Sequence, residues 1–278
     1  LIPERLGAEG SSMSLELGID VGGTFTDFVI AHDGAPPRIQ TLRSRRRLLR
    51  EAGVEDLAQL GFDAVVARTS PADSIEQALV LGMRAGCVVV GQGCRCGAGR
   101  AGDVDPRRDR GRSRFETIEV PTLEDSAGRV SSSRIRDALL RGDLAEAERF
   151  LGRRYEIEGL VVHGDHRGKA LGFPTANVDL EGGSALKRGV YAADGFIEGE
   201  IQPRRAAVNL GVRPTFGGEV ARLEAHFPGF EGDLYGRGVR IVFLSRLRDE
   251  RRFDSVEDLT AQLAADVKAA ERAAGQTG

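Results

Sequence analysis

Long uninterrupted apolar runs are missing from this 278-residue chain. The longest, Ala78 to Val90, is broken by Arg84 and is shorter than the roughly 20 residues a bilayer-crossing helix needs. Glu4, Arg5 and Glu9 stand where an export signal would need a continuous apolar core. The expectation is therefore a cytoplasmic protein with no membrane partner. Cysteine is scarce as well. The three residues are an odd count, and Cys94-Arg-Cys96 lacks the CxxC spacing of zinc or thioredoxin-like sites, so reduced thiols are expected. A strong charge bias is also absent. A net charge of −3 gives no electrostatic reason to expect nucleic acid as a partner. The basic stretches Arg43–Arg50 and Arg107–Arg114 read as solvated surface. There is no internal repeat and no heptad run.

What is present is ordinary globular material. With 41% hydrophobic and 29% charged residues, the chain has enough for about two domains of roughly 100–200 residues each. Residues 1–15 read as a loose leader without a periodic pattern. Residues 15–32 read as two short strands around a Gly-Gly turn, Leu48–Leu60 as a short helix, Phe62–Ala67 as a strand, Ser74–Ala85 as a helix and Cys87–Val90 as a short buried strand. That alternation points to parallel α/β structure. Residues 97–114 read as an exposed loop and Phe115–Val120 as a strand. Ser131-Ser-Ser-Arg-Ile-Arg136 opens helical material that runs to Leu151, divided at Gly142 with Asp143 as a second N-cap.

After Gly152 the texture changes. Glu156–His163, Gly189–Ile197, Arg205–Leu210, Val220–Phe227 and Gly238–Ser245 read as strands between Gly-rich or Pro-rich turns, which suggests an antiparallel barrel or sandwich. A helix closes the chain. Ser255-Val-Glu-Asp258 fits a capping box, and Val256, Leu259, Leu263, Val267 and Ala270 fall on one face, read as core packing on the barrel.

The most informative stretch is Gly164-Asp-His-Arg-Gly-Lys-Ala-Leu-Gly-Phe-Pro-Thr-Ala-Asn177. Gly164, Gly168 and Gly172 let the backbone turn sharply and approach a ligand, and exposed amides in such a loop can cradle phosphate oxygens. Arg167 and Lys169 add positive charge. Pro174 stiffens the exit, so Thr175 and Asn177 project to one side of an extended segment. Their hydroxyl and amide carbonyl are hard oxygen donors suited to a Mg²⁺ that keeps several waters and bridges phosphates.

This stretch resembles the nucleotide loop of riboflavin kinases; Leu171-Gly-Phe-Pro-Thr-Ala-Asn-Val178 matches that family's signature without a gap. Further strings follow in the family's order: Arg188-Gly-Val-Tyr-Ala192, Ala206-Ala-Val-Asn-Leu-Gly-Val-Arg-Pro-Thr-Phe216, Glu224-Ala-His-Phe227, Asp233-Leu-Tyr-Gly236 and Leu247-Arg-Asp-Glu-Arg-Arg-Phe253. The resemblance covers almost all of 153–272. It implies transfer of the γ-phosphate of Mg-ATP to the ribityl 5′-hydroxyl of riboflavin, giving FMN. Glu224 is then the base, Gly168, Lys169, Gly172, Thr175 and Asn177 contact the nucleotide, and Thr175 and Asn177 ligate Mg²⁺. His226, two residues beyond Glu224 on one strand face, either orients that carboxylate or is simply packed. His163 and His166 resemble a zinc pair only superficially.

Residues from about 53 to 152 resemble the later part of the FMN adenylyltransferase domain that often precedes such kinases in bacteria. Ser132, Ser133, Arg134 and Arg136 are either a vestigial nucleotide-phosphate contact at a helix N-terminus or a plain cap with surface arginines. The family's His-x-Gly-His string is absent: the four histidines are His32, His163, His166 and His226. Little or no adenylyltransferase activity is expected. In its place stands Gly18-Ile-Asp-Val-Gly-Gly-Thr-Phe-Thr-Asp27, which resembles the opening phosphate hairpin of hydantoinase and oxoprolinase subunits, where Asp20, Gly22, Gly23 and Thr24 would face metal and phosphate.

The expected fold is an α+β multi-domain chain. A degenerate nucleotidyltransferase-like (Rossmann-like) α/β domain spans 16–152, and an antiparallel β-barrel with a C-terminal helix spans 153–272. Two alternatives stay open: a bifunctional riboflavin kinase/FMN adenylyltransferase making FAD, and a non-catalytic flavin- or nucleotide-binding regulator.

Overall fold

The computed structural model describes residues 16–22, 25–30, 47–48, 50–51, 53, 56–60, 86–91, 116–164, 168, 171–180, 184–215 and 218–273. The expected leader, the strand at 62–67, the helix at 74–85 and the loop at 97–114 lie outside them. The chain divides into two compact units. The first holds the described residues through Arg129, and the second those from Val130 onward.

In the first unit, β1 (Glu16–Gly22) and β2 (Phe25–Ile30) form the hairpin read from residues 15–32, pairing antiparallel from Leu17↔Ile30 to Gly22↔Phe25. With β3 (Asp56–Leu60), β4 (Cys87–Gly91) and β5 (Glu116–Val120) they make one sheet in the order β3-β2-β1-β4-β5. The parallel pairing expected from the alternation holds for β1, β4 and β5, while β2 and β3 are antiparallel additions. Cys87 and Val88 of β4 are buried, as a strand covered on its faces requires.

The helix expected over Leu48–Leu60 is shorter than read. Among the described residues of this stretch, those within 47–51 are helical, and Asp56–Leu60 is a strand paired to β2. Gly53, at φ +92 with its N–H donating to the Arg50 carbonyl, ends the helix. A short apolar run beyond such a stop has no decisive period of its own, so sheet pairing decides its state. A two-stranded hairpin, β6 (Glu124–Asp125) with β7 (Gly128–Arg129), completes the unit.

The second unit opens with α1 (Ser132–Arg141) and α2 (Leu144–Leu151), divided where the sequence said. The Ser131 hydroxyl accepts from Arg134 N, Gly142 closes α1 in the left-handed region, and the Asp143 carboxylate accepts from Glu146 N at 2.9 Å. These helices group with the barrel: Ala138, Leu139 and Ala147 share a buried cluster with its strands, and Lys187 N donates to Leu139 O.

The barrel strands are β8 (Glu156–Val162), β9 (Ala176–Val178), β10 (Gly189–Ile197), β11 (Arg204–Thr215), β12 (Gly218–His226) and β13 (Gly238–Arg248). They close in the order β10-β11-β12-β9-β8-β13, with every pair antiparallel. Inward positions at period two supply the core: Tyr191, Val208, Leu210, Leu223, Ile241 and Phe243 are all at most 2% exposed. Helix α3 (Val256–Arg272) then lies along β10, β11 and β13, capped by Ser255 through Asp258 N. Arg205 of β11, held by Asp194, donates to the carbonyls of Ala270 and Ala273 at the helix end, where a cation complements the dipole. Among the described residues no helix is long and apolar enough to cross a membrane.

Candidate active site

A cleft of about 360 Å³ is lined by residues of β9, β11 and β12 on one side and of α3 on another. Its polar wall follows from register. Glu224 of β12 pairs with Asn177 of β9 on one side and with Asn209 of β11 on the other. Directly paired residues share a sheet face, so the three side chains form a row across three strands, and all three line the cleft. Two residues before and after Glu224, Arg222 and His226 line it as well. Thr175 and Gly168 stand at the edge contributed by the Gly-rich loop.

Short contacts fix this wall. Asn177 is 9% exposed, and its Oδ1 accepts from Arg222 Nε at 2.8 Å and Nη2 at 2.6 Å. Arg222 Nη2 also lies 2.7 Å from Glu224 Oε1. The Glu224 carboxylate is thus paired yet still partly open to the cleft, with its side chain 28% exposed. His226 Nδ1 lies 2.8 Å from the Pro174 carbonyl oxygen, and its ring meets Phe173 edge-on, tying the Gly-Phe-Pro-Thr corner to the strand that carries Glu224. Gly164 is needed for close approach. A Cβ there would sit 2.1 Å from Asn177 Nδ2, so any side chain would push Asn177 out of the row.

The opposite wall is apolar and comes from α3. Leu259, Leu263 and Val267 line the cleft, whereas Val256 is 58% exposed and only Ala270 is fully buried. The helix stripe read as core packing is therefore mainly a cleft wall, since an apolar face at the barrel rim need not be covered. α3 is anchored by a buried ion pair: Asp266, 4% exposed, accepts from Arg248 Nε and Nη2 of β13 and from Gln262 Nε2.

Some of the residues singled out in the sequence converge here. Gly168, Thr175, Asn177 and Glu224 share the cleft. Gly172, exposed with φ +81, turns the loop but does not line it. Lys169 and Arg167, with His166, lie outside the described residues. His163 stacks on Tyr235 with ring centroids 3.9 Å apart. Ser132, Ser133, Arg134 and Arg136 are not in the cleft; Arg134 places its guanidinium over the Phe150 ring, and the other three are exposed. The side chains of Gly18–Asp27 are not among those described. Sequence reading missed Arg222, although it lies two residues before Glu224 on the same strand face. Asn209 was visible only within a longer string, because its pairing with Glu224 depends on barrel closure. Elsewhere in this unit, burial raises the phenol of Tyr155, which stacks on Phe243, above its usual range, and burial does the same to Tyr191.

Comparison with known proteins returns the same two-part order. A riboflavin kinase family model matches residues 151–274, and an FAD synthetase family model matches residues 24–134. The latter match starts well ahead of residue 53, where the sequence resemblance was first read, and takes in part of the Gly18–Asp27 segment. The bifunctional riboflavin kinase/FMN adenylyltransferase of Escherichia coli (strain K12) is 38% identical over 250 residues, covering 90% of this chain and 80% of its own length. That of Pseudomonas fluorescens is 38% identical over 239 residues, with coverages of 83% and 76%. The crystal structure of a macrolide-efflux protein from Streptococcus pneumoniae matches with a TM-score of 0.67 at 35% identity, covering 83% of this chain and 74% of that one. A barrel of this order, closed by a terminal helix and carrying the Gly-Phe-Pro-Thr-Ala-Asn loop, places the chain in the bifunctional riboflavin kinase/FMN adenylyltransferase family, with its riboflavin kinase domain in the second unit.

Proposed function

We propose that the cleft of the second unit phosphorylates riboflavin at its ribityl 5′-hydroxyl with Mg-ATP, Glu224 acting as the base. The observation that carries this reading is the row Asn177–Glu224–Asn209, with Thr175 at its edge, facing an apolar helix wall. Phosphoryl transfer needs little covalent work: it needs in-line positioning, charge neutralisation and an acceptor for the attacking hydroxyl's proton. The Glu224 carboxylate, held on a strand rather than a loop and partly open to the cleft, suits the last task. Asn209 beside it is suited to hold the polyhydroxyl chain. Leu259, Leu263 and Val267 offer an apolar surface to a flat ring system.

The donors present fit magnesium. The Thr175 hydroxyl, the Asn177 carbonyl and the Glu224 carboxylate are hard oxygens in one cleft. No group of three or more His, Cys, Asp or Glu is gathered into a metal cage among the described residues. A Mg²⁺ that keeps waters and phosphate oxygens needs only one or two protein ligands, and Thr175 and Asn177 would hold it. It would neutralise charge on the transferred phosphoryl group. Gly168 and Lys169 would meet the nucleotide, and a cytoplasmic setting suits a chain that consumes ATP.

The second reading, FAD formation by the first unit, is favoured by the match to FAD synthetase over 24–134 and opposed by the absence of a His-x-Gly-His string from this sequence. One experiment separates them: incubate the full chain with Mg-ATP and either riboflavin or FMN, and resolve FMN from FAD. FMN from riboflavin with no FAD from FMN is the expected result. Failure to make FMN overturns the kinase reading, and FAD from FMN restores the bifunctional one.

A further inference from the structure

Resting on the kinase reading, we infer that Arg222 competes with the magnesium ion for the Asn177 carbonyl, so that metal–nucleotide binding must displace it. The Asn177 amide oxygen accepts twice from Arg222, through Nε at 2.8 Å and Nη2 at 2.6 Å. The same Nη2 lies 2.7 Å from Glu224 Oε1, so one guanidinium spans the metal-ligand candidate and the base. A fork of N–H donors on two oxygens is the strong form of charge-assisted hydrogen bond. A divalent ion taking Asn177 Oδ1 would sit within a few ångströms of that guanidinium, and two cations so close repel.

Local geometry permits the displacement. The Arg222 side chain is 25% exposed, and its register partner on β11 is Gly211. The void left by Gly211 is filled from the other side by Glu250: a Cβ on Gly211 would lie 2.4 Å from Glu250 Oε1. A guanidinium leaving Asn177 therefore keeps acidic neighbours in the cleft, Glu224 and Glu250, and does not have to leave as an unpaired charge. Arg222 so tunes how readily the site accepts the metal-bound form of the nucleotide; it is a specificity-determining residue.

The test is calorimetric titration of the full chain with the non-hydrolysable analogue AMP-PNP, with magnesium and with EDTA, and without riboflavin. Arg222→Gln removes the cation and keeps a polar side chain; Arg222→Met keeps the aliphatic stem and serves as the second variant. Both should bind Mg·AMP-PNP about tenfold more tightly than the parent chain, the equivalent of one charge-assisted hydrogen bond released. Their affinity for magnesium-free AMP-PNP should not improve. A gain restricted to the metal complex is not produced by a damaged fold. Unchanged or weaker Mg·AMP-PNP binding in both variants overturns the inference and makes Arg222 a phosphate ligand or a bystander. Equal tightening without magnesium overturns it too. A parent chain that binds no Mg·AMP-PNP and makes no FMN overturns the kinase reading itself.

Discussion

Replacing Arg248 by Met should weaken the second unit more than any other single change at the cleft rim. The Arg248 guanidinium places Nε 2.9 and 3.1 Å from the two carboxylate oxygens of Asp266, and Nη2 2.6 Å from one of them. Asp266 is 4% exposed, and its remaining polar partner is Gln262 at 2.7 Å. Removing the cation leaves a buried carboxylate with one neutral donor, a defect that costs about 3–5 kcal/mol. That is a large fraction of the ~5–15 kcal/mol that holds a domain together. The assay is provided by the sequence. The chain has no Trp and three Tyr, and Tyr155, Tyr191 and Tyr235 all lie in the second unit, so tyrosine fluorescence in a urea melt reports that unit alone. The double variant Arg248→Met with Asp266→Leu should recover most of the loss, because an apolar pair of similar volume replaces a buried ion pair at little cost. Since α3 carries Leu259, Leu263 and Val267, the single variant should also raise KM for riboflavin. A loss below about 1 kcal/mol, or a double variant no better than the single, refutes the reasoning.

Two further expectations follow from the same geometry. His226→Phe keeps the ring against Phe173 but loses the bond to the Pro174 carbonyl; KM for ATP should rise about fivefold, the worth of one hydrogen bond, with KM for riboflavin unchanged, and steady-state kinetics with each substrate varied reads this directly. Burial raises the Tyr155 phenol above its usual 10.0, so the folded chain keeps that proton after the unfolded chain has lost it. The associated stability is complete below about pH 10 and declines as pH rises toward the raised value; urea midpoints measured upward from pH 9 should fall, and Tyr155→Phe should flatten that slope.

How much of this was legible in the sequence depends on range. Local chemistry was readable: the Ser131, Asp143 and Ser255 caps sit where the side chains dictate, and the Thr175 to Asn177 spacing does put both residues at one cleft. Strand pairing was not readable. Asp56–Leu60 has no decisive period, and only its ladder with Phe25–Ile30 makes it a strand. The partnership of Glu224 with Asn209 and Asn177 spans residues up to 47 positions apart in sequence and exists only once the barrel closes. Arg222 could have been found by the two-residue strand period, but a guanidinium beside a carboxylate reads as a surface pair until Asn177 is placed beneath it. The α3 stripe misled for the opposite reason, since helical spacing shows that a face is apolar without showing what covers it.

The most direct measurement is single-turnover FMN formation by the parent chain and by Glu224→Gln, with Mg-ATP binding measured in parallel. Loss of the proton acceptor should slow phosphoryl transfer by about 10²–10⁴-fold while nucleotide affinity stays within about twofold. Transfer at the parent rate by the glutamine variant would remove the Glu224 carboxylate from the chemistry, and the account built on its row of partners would be wrong.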